Sequence, residues 1–220
     1  MQINESVINS VMENLEKNNM KPFFCKTKAE AKELVMSLIK EGSTVTNGGS
    51  ETMKEIGVMQ AVKERKDITY LDRSTPGLTA DEIKEIYRKA FFADVYLMSS
   101  NALTLKGELY NVDGNSNRVA ALLYGPESVI VVCGVNKIVE NIDEAVKRVK
   151  TIAAPKNTVR LHTGSYCENR GECMSLENEG SFMCDGCKGA GRICCNYVVS
   201  AQQRHKDRIK VVIVDENLGY

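Results

Sequence analysis

The sequence predicts an α/β fold, a largely parallel sheet flanked by helices. Three observations predict it. The near-continuous apolar runs "DVYLMSS" and "SVIVVCG" have the character of strands covered on both faces. Amphipathic segments that open on helix-capping residues alternate with them, the order expected of a parallel sheet with crossover helices. A further apolar run, "RIKVVIVDE", resumes strand character near the end of the chain, which predicts that the last strand rejoins the sheet.

Taken in order, Val7, Ile8, Val11, Met12 and Leu15 recur at helical spacing and place a first helix ahead of the turn "KNNMKP". "TKAEAKELVMSLIKEG" reads as a second helix. Thr27 and Glu30 have capping-box spacing, Leu34, Val35, Leu38 and Ile39 form the apolar stripe, and Gly42 supplies the stop. "STVTNGGSETMKEIG" reads as a short strand that breaks into a glycine pair and a short helix, and "ITYLD" as another strand. "TADEIKEIYRKAFFA" repeats the cap signature with Thr79 and Glu82, and "NIDEAVKRVKTIAAP" is a crossover helix after the strand "SVIVVCG".

With 220 residues, 43% of them apolar, the chain can bury a sizeable core. Lys plus Arg and Asp plus Glu both number 29, so no global field draws it to nucleic acid or to an anionic membrane. The start carries no basic stretch followed by an apolar run, and no window of roughly 20 residues lacks charge, which argues against a secretion signal or a membrane span. The expectation is a cytoplasmic protein, whose reducing surroundings favour thiols, thiolate ligands or transient redox pairs over structural disulfides.

Two connections carry functional chemistry. "TNGGSET", residues 46–52, lies between a strand and a helix. Gly48 and Gly49 let backbone N–H groups approach a ligand, and Ser50 or Thr52 can cap the helix or donate to an anion. It lacks the terminal Lys-Ser/Thr of a P-loop and the spacing of a dinucleotide fingerprint, and the same residues also suit a plain strand-to-helix turn. "SSNALTLKGELYNVDGNSNR", residues 99–118, reads as one polar connection after a buried strand, the place where such folds bind ligands, although its Asn and Gly residues also stabilise turns without one. It holds Asn101, Thr104, Asp113 and Asn117 as binding candidates, Glu108 as a candidate nucleophile or base, and Arg118 as a planar fork for a carboxylate. The only histidines, His162 and His205, lie outside these loops, which disfavours a Ser-His-Asp triad. Cys25 and Cys133 read as small buried apolar residues.

The other six of the eight cysteines fall between residues 167 and 195. Cys184 and Cys187 form a C-x2-C pair in a glycine-rich stretch that lets the chain curl. Cys194 and Cys173 complete a candidate four-thiolate shell, with Cys167 and Cys195 as alternatives for the fourth position. Zinc and a [4Fe-4S] cluster both accept such ligation, and an isolated C-x2-C is also the pattern of a redox dithiol. Adjacent Cys194 and Cys195 do not easily reach the same centre. Few apolar residues occur between 163 and 191, so this segment needs a crosslink to hold itself together.

The runs "GGSETMKEIG", "NALTLKGELYNVDGNSNRVAALLYGPESVIVVCGVNKIV", "RICCNYVV" and "RIKVVIVDENLGY" resemble the LUD-domain family of lactate utilization proteins, formerly a domain of unknown function. The resemblance covers nearly the whole chain. It implies a scaffold related to the NagB/RpiA/CoA-transferase-like group, a cytoplasmic location, and in some members an association with oxidation of L-lactate to pyruvate beside iron-sulfur and flavin-containing partner proteins. The family's polar motif falls on Asn101, Thr104, Gly107, Glu108, Asn111, Asp113, Gly114, Asn117 and Arg118, and its glycine-serine turn on Gly48, Gly49, Ser50 and Thr52. Its short cysteine tail resembles Cys184, Cys187 and Cys194. This sequence departs from the family in having Cys195 where Asn is common, and in the wider spacing of "CMSLENEGSFMC", which leaves the fourth ligand open.

The expected organisation is one LUD-like domain over residues 1–220 with a cysteine-bearing insertion over 163–200. Two functions stand as expectations. One is an accessory or electron-transfer component of 2-hydroxy-acid metabolism carrying a [4Fe-4S] cluster, preferred over zinc because of the family's redox context. The other is an enzyme acting on a small carboxylate or phosphorylated metabolite between the two polar loops, with structural zinc in the tail. Homodimerisation is compatible with either.

Overall fold

The computed structural model describes residues 2–178 and 182–220. Residues 179–181, inside the expected 163–200 insertion, lie outside the described residues. The chain opens with α1 (Glu5–Lys17), β1 (Lys21–Cys25), α2 (Lys28–Ser37) and β2 (Thr44–Asn47). Next come α3 (Glu51–Glu55), α4 (Val58–Glu64), β3 (Thr69–Leu71), α5 (Ala80–Lys89) and β4 (Val95–Met98). A hairpin of β5 (Ala102–Thr104) and β6 (Leu109–Asp113) leads to α6 (Asn117–Leu123), β7 (Ser128–Gly134) and β8 (Ile138–Val139). The helices α7 (Ile142–Arg148), α8 (Ala154–Leu161) and α9 (Tyr166–Arg170) follow, and then the strands β9 (Asn196–Ser200) and β10 (Ile209–Val214).

Six strands form the main sheet in the order β1-β10-β7-β4-β2-β3, and every neighbouring pair is parallel. The run "RIKVVIVDE" therefore does rejoin the sheet, as a central strand between β1 and β7. Successive residues of a strand face opposite sides, and here both sides are apolar. Val129, Val131, Ile209, Val211 and Ile213 enter one core with Val11 and Leu15 of α1 and Leu122 of α6. Ile130, Val132, Val212 and Val214 enter the other, against Ala31 and Val35 of α2 and Val58 and Val62 of α4. The uninterrupted apolar runs reflect this double coverage, each fully buried Val or Ile contributing roughly 1.5–3 kcal/mol.

A second sheet, in the order β8-β5-β6-β9, stands beside the first. β5 pairs parallel with β8 and antiparallel with β6, and β9 joins β6 antiparallel. This corrects the reading of residues 99–118 as one polar connection, because two of its stretches are buried strands. Leu103 and Leu109 face the first core, whereas Ala102 and Tyr110 face a third core with Ala145, Val149 and Ala153. The "PFFC" stretch is likewise a strand, the main sheet's edge, where Pro22 is tolerated.

Helix ends follow local chemistry. Thr79 and Glu82 form the complete capping box. Thr27 accepts from Glu30 N at 3.2 Å, but the Glu30 carboxylate takes the amide of Lys26 instead of that of Thr27. α2 ends at Ser37, short of Gly42, which lies in a later turn with φ +78°. The crossover helix runs past Pro155. A widened π turn at Val149–Ala153 joins α7 to α8 and accommodates a residue that has no N–H to donate. Among the described residues, no helix is long and apolar enough to cross a membrane.

Candidate functional site

Four of the main-sheet strands deliver polar groups at their carboxyl ends. β2 is followed by Gly48–Thr52, β4 by Ser99–Asn101, β7 by Lys137, and β10 by the terminal segment ending in Tyr220. β2 and β4 are neighbours, but the chain leaves β2 toward β3 on one side and reaches β7 from β4 on the other. Such a switch point opens a crevice in an open parallel sheet. Here it holds a cleft of about 410 Å³.

Of the predicted binding residues, Gly49, Ser50, Thr52, Asn101, Asp113, Asn117 and Arg118 line this cleft, so the two polar loops do meet. Ser50 caps α3 by accepting from Met53 N. Gly48 lies directly behind the lining. A Cβ there would stand 2.9 Å from Arg118 Cγ and 3.1 Å from the Tyr96 hydroxyl, so only glycine lets the arginine pass this close. Thr104 and Glu108 are set apart from the cleft, at the turn of the β5–β6 hairpin. The Thr104 hydroxyl donates to the Glu108 carboxylate at 2.8 Å and accepts from Glu108 N at 3.1 Å. Their bonds close the turn, and the place predicted for Glu108 as a base beside a substrate is not the place it occupies.

Arg118 lines the cleft, but protein acceptors take up its fork. It donates to Asn111 Oδ1 at 2.5 Å, to the Val112 carbonyl at 2.7 Å, to Asn101 Oδ1 at 3.1 Å and to the Ser99 carbonyl at 3.3 Å. Its Nε lies 3.4 Å from the Asp113 carboxylate. Asn101 Oδ1 also accepts from Val112 N, and Asn111 donates to Ser100 Oγ. The run of Asn, Asp and Arg is thus one hydrogen-bonded clamp that ties β6 to the end of β4, and it shapes the cleft wall.

The buried cation of the cleft is Lys137, which the sequence reading passed over. Nothing marks it locally except its place just after an apolar strand. It is 3% exposed and lines the cleft, and its Nζ donates to Thr52 Oγ1 and to Ser99 Oγ, each at 2.9 Å. None of the ion pairs among the described residues includes it. Burial pushes its pKa down to about 8, against the opposing pull of Cys133 and with further lowering by Arg148 and Arg118. The cleft is cationic in sum. Arg73, Arg118, Lys137, Arg160 and Arg192 line it against Glu51 and Asp113, and those two carboxylates already face Arg160 and Arg118.

The cysteine segment packs against the wall of this cleft. Arg192 organises it, donating to the carbonyls of Cys194, Cys187 and Cys184 at 2.7, 2.7 and 2.8 Å and to the Tyr197 hydroxyl at 3.0 Å. Lys150 reaches from the crossover helix to Ser175 Oγ and to the Phe182 carbonyl, each at 2.8 Å. Cys167, Cys173, Cys187 and Cys194 line one cavity there, and Cys194 lines the cleft as well. Burial pushes the Cys194 thiol up to about 12, with the thiols of Cys167, Cys173 and Cys187 adding to the shift. Cys184 and Cys195 are exposed. Cys25 and Cys133 are buried, as expected of small apolar residues.

Among the described residues, no three His, Cys, Asp or Glu side chains converge closely enough to hold a single metal ion. The cavity nevertheless gathers four thiols, and its lining includes Tyr110, a fully buried tyrosine whose hydroxyl has no hydrogen-bond partner among the described residues. A buried hydroxyl left without a partner is costly, and one beside four thiols fits a group that brings acceptors of its own.

The sequence matches the LUD domain over residues 8–214, nearly the whole chain. The chain belongs to the LUD domain family. Among solved structures, this LUD domain is similar to a DUF162 family protein from Deinococcus radiodurans, with 13% identity, 97% of this chain and 99% of that chain covered, and a TM-score of 0.54. At that identity the likeness speaks for the fold alone. Similarity to eIF2B beta from Chaetomium thermophilum is slighter, with 15% identity, 52% of this chain and 43% of that chain covered, and a TM-score of 0.36, and no argument rests on it. No curated protein matches the sequence.

Proposed function

We propose that this LUD domain binds, and acts on, a small carboxylate or phosphorylated metabolite in the cleft between Gly48–Thr52 and Asn101–Arg118. The observation that carries the reading is Lys137, a buried cation in none of the ion pairs among the described residues, on a cleft whose two acidic residues face arginines. A bound anion supplies the missing countercharge, and charge-assisted bonds of this kind are the strong ones. Glycines and serines at the carboxyl ends of parallel strands support the same reading, and the NagB/RpiA/CoA-transferase-like scaffold that the family resemblance implies is compatible with it. That kinship permits acyl-CoA chemistry without requiring it.

Calorimetry and thermal unfolding with inorganic phosphate, lactate and pyruvate test the reading. Binding is expected to be lost in Lys137→Met and kept in Glu108→Ala, whose side chain closes a distant turn. Ligand at 100 times its Kd raises stability by about 2.7 kcal/mol. Failure of all three anions to bind, or equal binding by Lys137→Met, overturns the proposal.

A second reading is favoured by one observation, the position of Cys194 on both the cleft and the thiol cavity. In that reading the cysteine segment carries a [4Fe-4S] cluster, and the protein is an accessory or electron-transfer component of 2-hydroxy-acid metabolism in the cytoplasm. Such a cluster supplies one-electron transfer when bound, and flavin or iron-sulfur proteins are the partners it would serve. Cys173, Cys187 and Cys194 are the ligands common to the spacing and the cavity, and zinc is the alternative occupant.

A further inference from the structure

We propose that a sulfur-bridged iron cluster is held by Cys167, Cys173, Cys187 and Cys194, with the Tyr110 hydroxyl as its hydrogen-bond donor, and that the exposed Cys184 of the C-x2-C pair is not a ligand. The proposal rests on the second reading above and names the residues of that site.

The fold brings the four thiols together from separate places. Cys167 lies in the first turn of α9, Cys173 two turns of chain later, Cys187 in the glycine-rich loop, and Cys194 just ahead of β9. Their common cavity is walled by Val146, Val149 and Met183 together with polar groups that include Lys150, Asp185 and Arg192. Cys173 is anchored by its own amide, which donates to the Lys150 carbonyl at 2.9 Å, and its sulfur lies close to Gly186. Arg192 fixes the carbonyls of Cys187 and Cys194 on the other side. Gly191 is required for this closure, because a Cβ there would lie 2.1 Å from the Thr163 carbonyl oxygen.

Cys184 is bound into the same loop through its carbonyl, but its side chain is exposed and is not part of the cavity wall. A mononuclear zinc ion needs donors converging on one point at about 2.3 Å, and among the described residues no three do so. A cubane places each thiolate on a different iron atom, so it suits sulfurs spread around a common space. Tyr110 gives a second, independent observation. Its hydroxyl is fully buried and unpartnered among the described residues, it lines the same cavity as the four thiols, and Tyr197, Cys194 and Cys184 act on it electrostatically. Bridging sulfide accepts hydrogen bonds, and donors to cluster sulfurs raise the reduction potential.

The full chain, expressed and purified without oxygen, is assayed for iron, acid-labile sulfide and visible absorption. About four iron and four sulfide per chain are expected. Cys184→Ser and Cys195→Ser are expected to keep that content, and Cys167→Ser and Cys173→Ser to lose most of it. Circular dichroism checks that each variant is folded. Tyr110→Phe, which removes only the hydroxyl, is expected to keep the cluster and lower its potential, so the proposal stays testable even where a cysteine variant fails to fold. Loss of iron in Cys184→Ser with retention in Cys167→Ser overturns the ligand set. About one zinc without sulfide, or folded metal-free protein with freely titratable thiols, overturns the cluster. Anion binding in the cleft, measured separately, is a distinct result and stands or falls without affecting this one.

Discussion

Arg118 separates two views of the polar motif, as a fork for substrate or as an internal clamp. In Arg118→Met the aliphatic stem that passes Gly48 is largely retained, while the guanidinium and its bonds to Asn111, Val112, Asn101 and Ser99 are lost. Asp113 loses its partner at the same time. Each hydrogen bond to a charged group contributes roughly 1.5–3 kcal/mol. Two of the four are short, at 2.5 and 2.7 Å. Water in the cleft can satisfy part of what is exposed, so the expected loss is about 3 kcal/mol, the lower end for two such bonds. For a chain of this size that corresponds to a fall in melting temperature of roughly 6–12 °C. Arg118→Lys is expected to recover little, because an ammonium cannot reproduce the planar fork. Thermal and denaturant unfolding measure the loss, with phosphate binding followed on the same samples. An Arg118→Met protein that melts with the wild type but no longer binds the anion would refute the clamp and return Arg118 to the ligand.

Three further outcomes are expected. Because burial lowers the Lys137 pKa from its ordinary 10.5 to about 8, the ligand-free protein bears a buried cation below about pH 8 and sheds it as pH rises toward 10.5. This group's contribution to stability therefore grows across that window, by at most on the order of 3 kcal/mol, and anion affinity falls as pH rises through about 8. Both trends are expected to vanish in Lys137→Met. Arg192→Ala frees three carbonyls of the cysteine segment. Faster thiol labelling at Cys187 and Cys194 with little change in the melting temperature is expected, and unchanged labelling rates would argue against its organising role. Gly48→Ala crowds Arg118 and Tyr96. A loss of about 1–3 kcal/mol is expected from overpacking, read by denaturant unfolding, together with weaker anion binding.

Much of the scaffold could be read directly from residue order. Uninterrupted apolar runs marked β4, β7 and β10 because each is covered on both faces, and capping residues marked the starts of α2 and α5 because an N-cap bond spans only three residues. The glycine pair after β2 and the Asn-rich stretch were visible as candidate ligand loops, and the dense cysteines as a candidate site. Tertiary structure decided which of these groups meet. β5 and β9 carry no lasting apolar run, and β5 pairs with β8 and β9 with β6 across long stretches of chain, so the second sheet follows largely from pairings that local periodicity does not encode. Glu108 and Arg118 belong to one motif, yet a hairpin turn carries the first away from the cleft and a strand end holds the second on it. Lys137 becomes notable only through burial without a carboxylate partner among the described residues. Cys167 shares a cavity with Cys187 and Cys194, whereas Cys184, nearer to them in sequence, is exposed and outside its lining. Side-chain type and spacing are local properties, whereas convergence on a cavity depends on the path of the backbone between them.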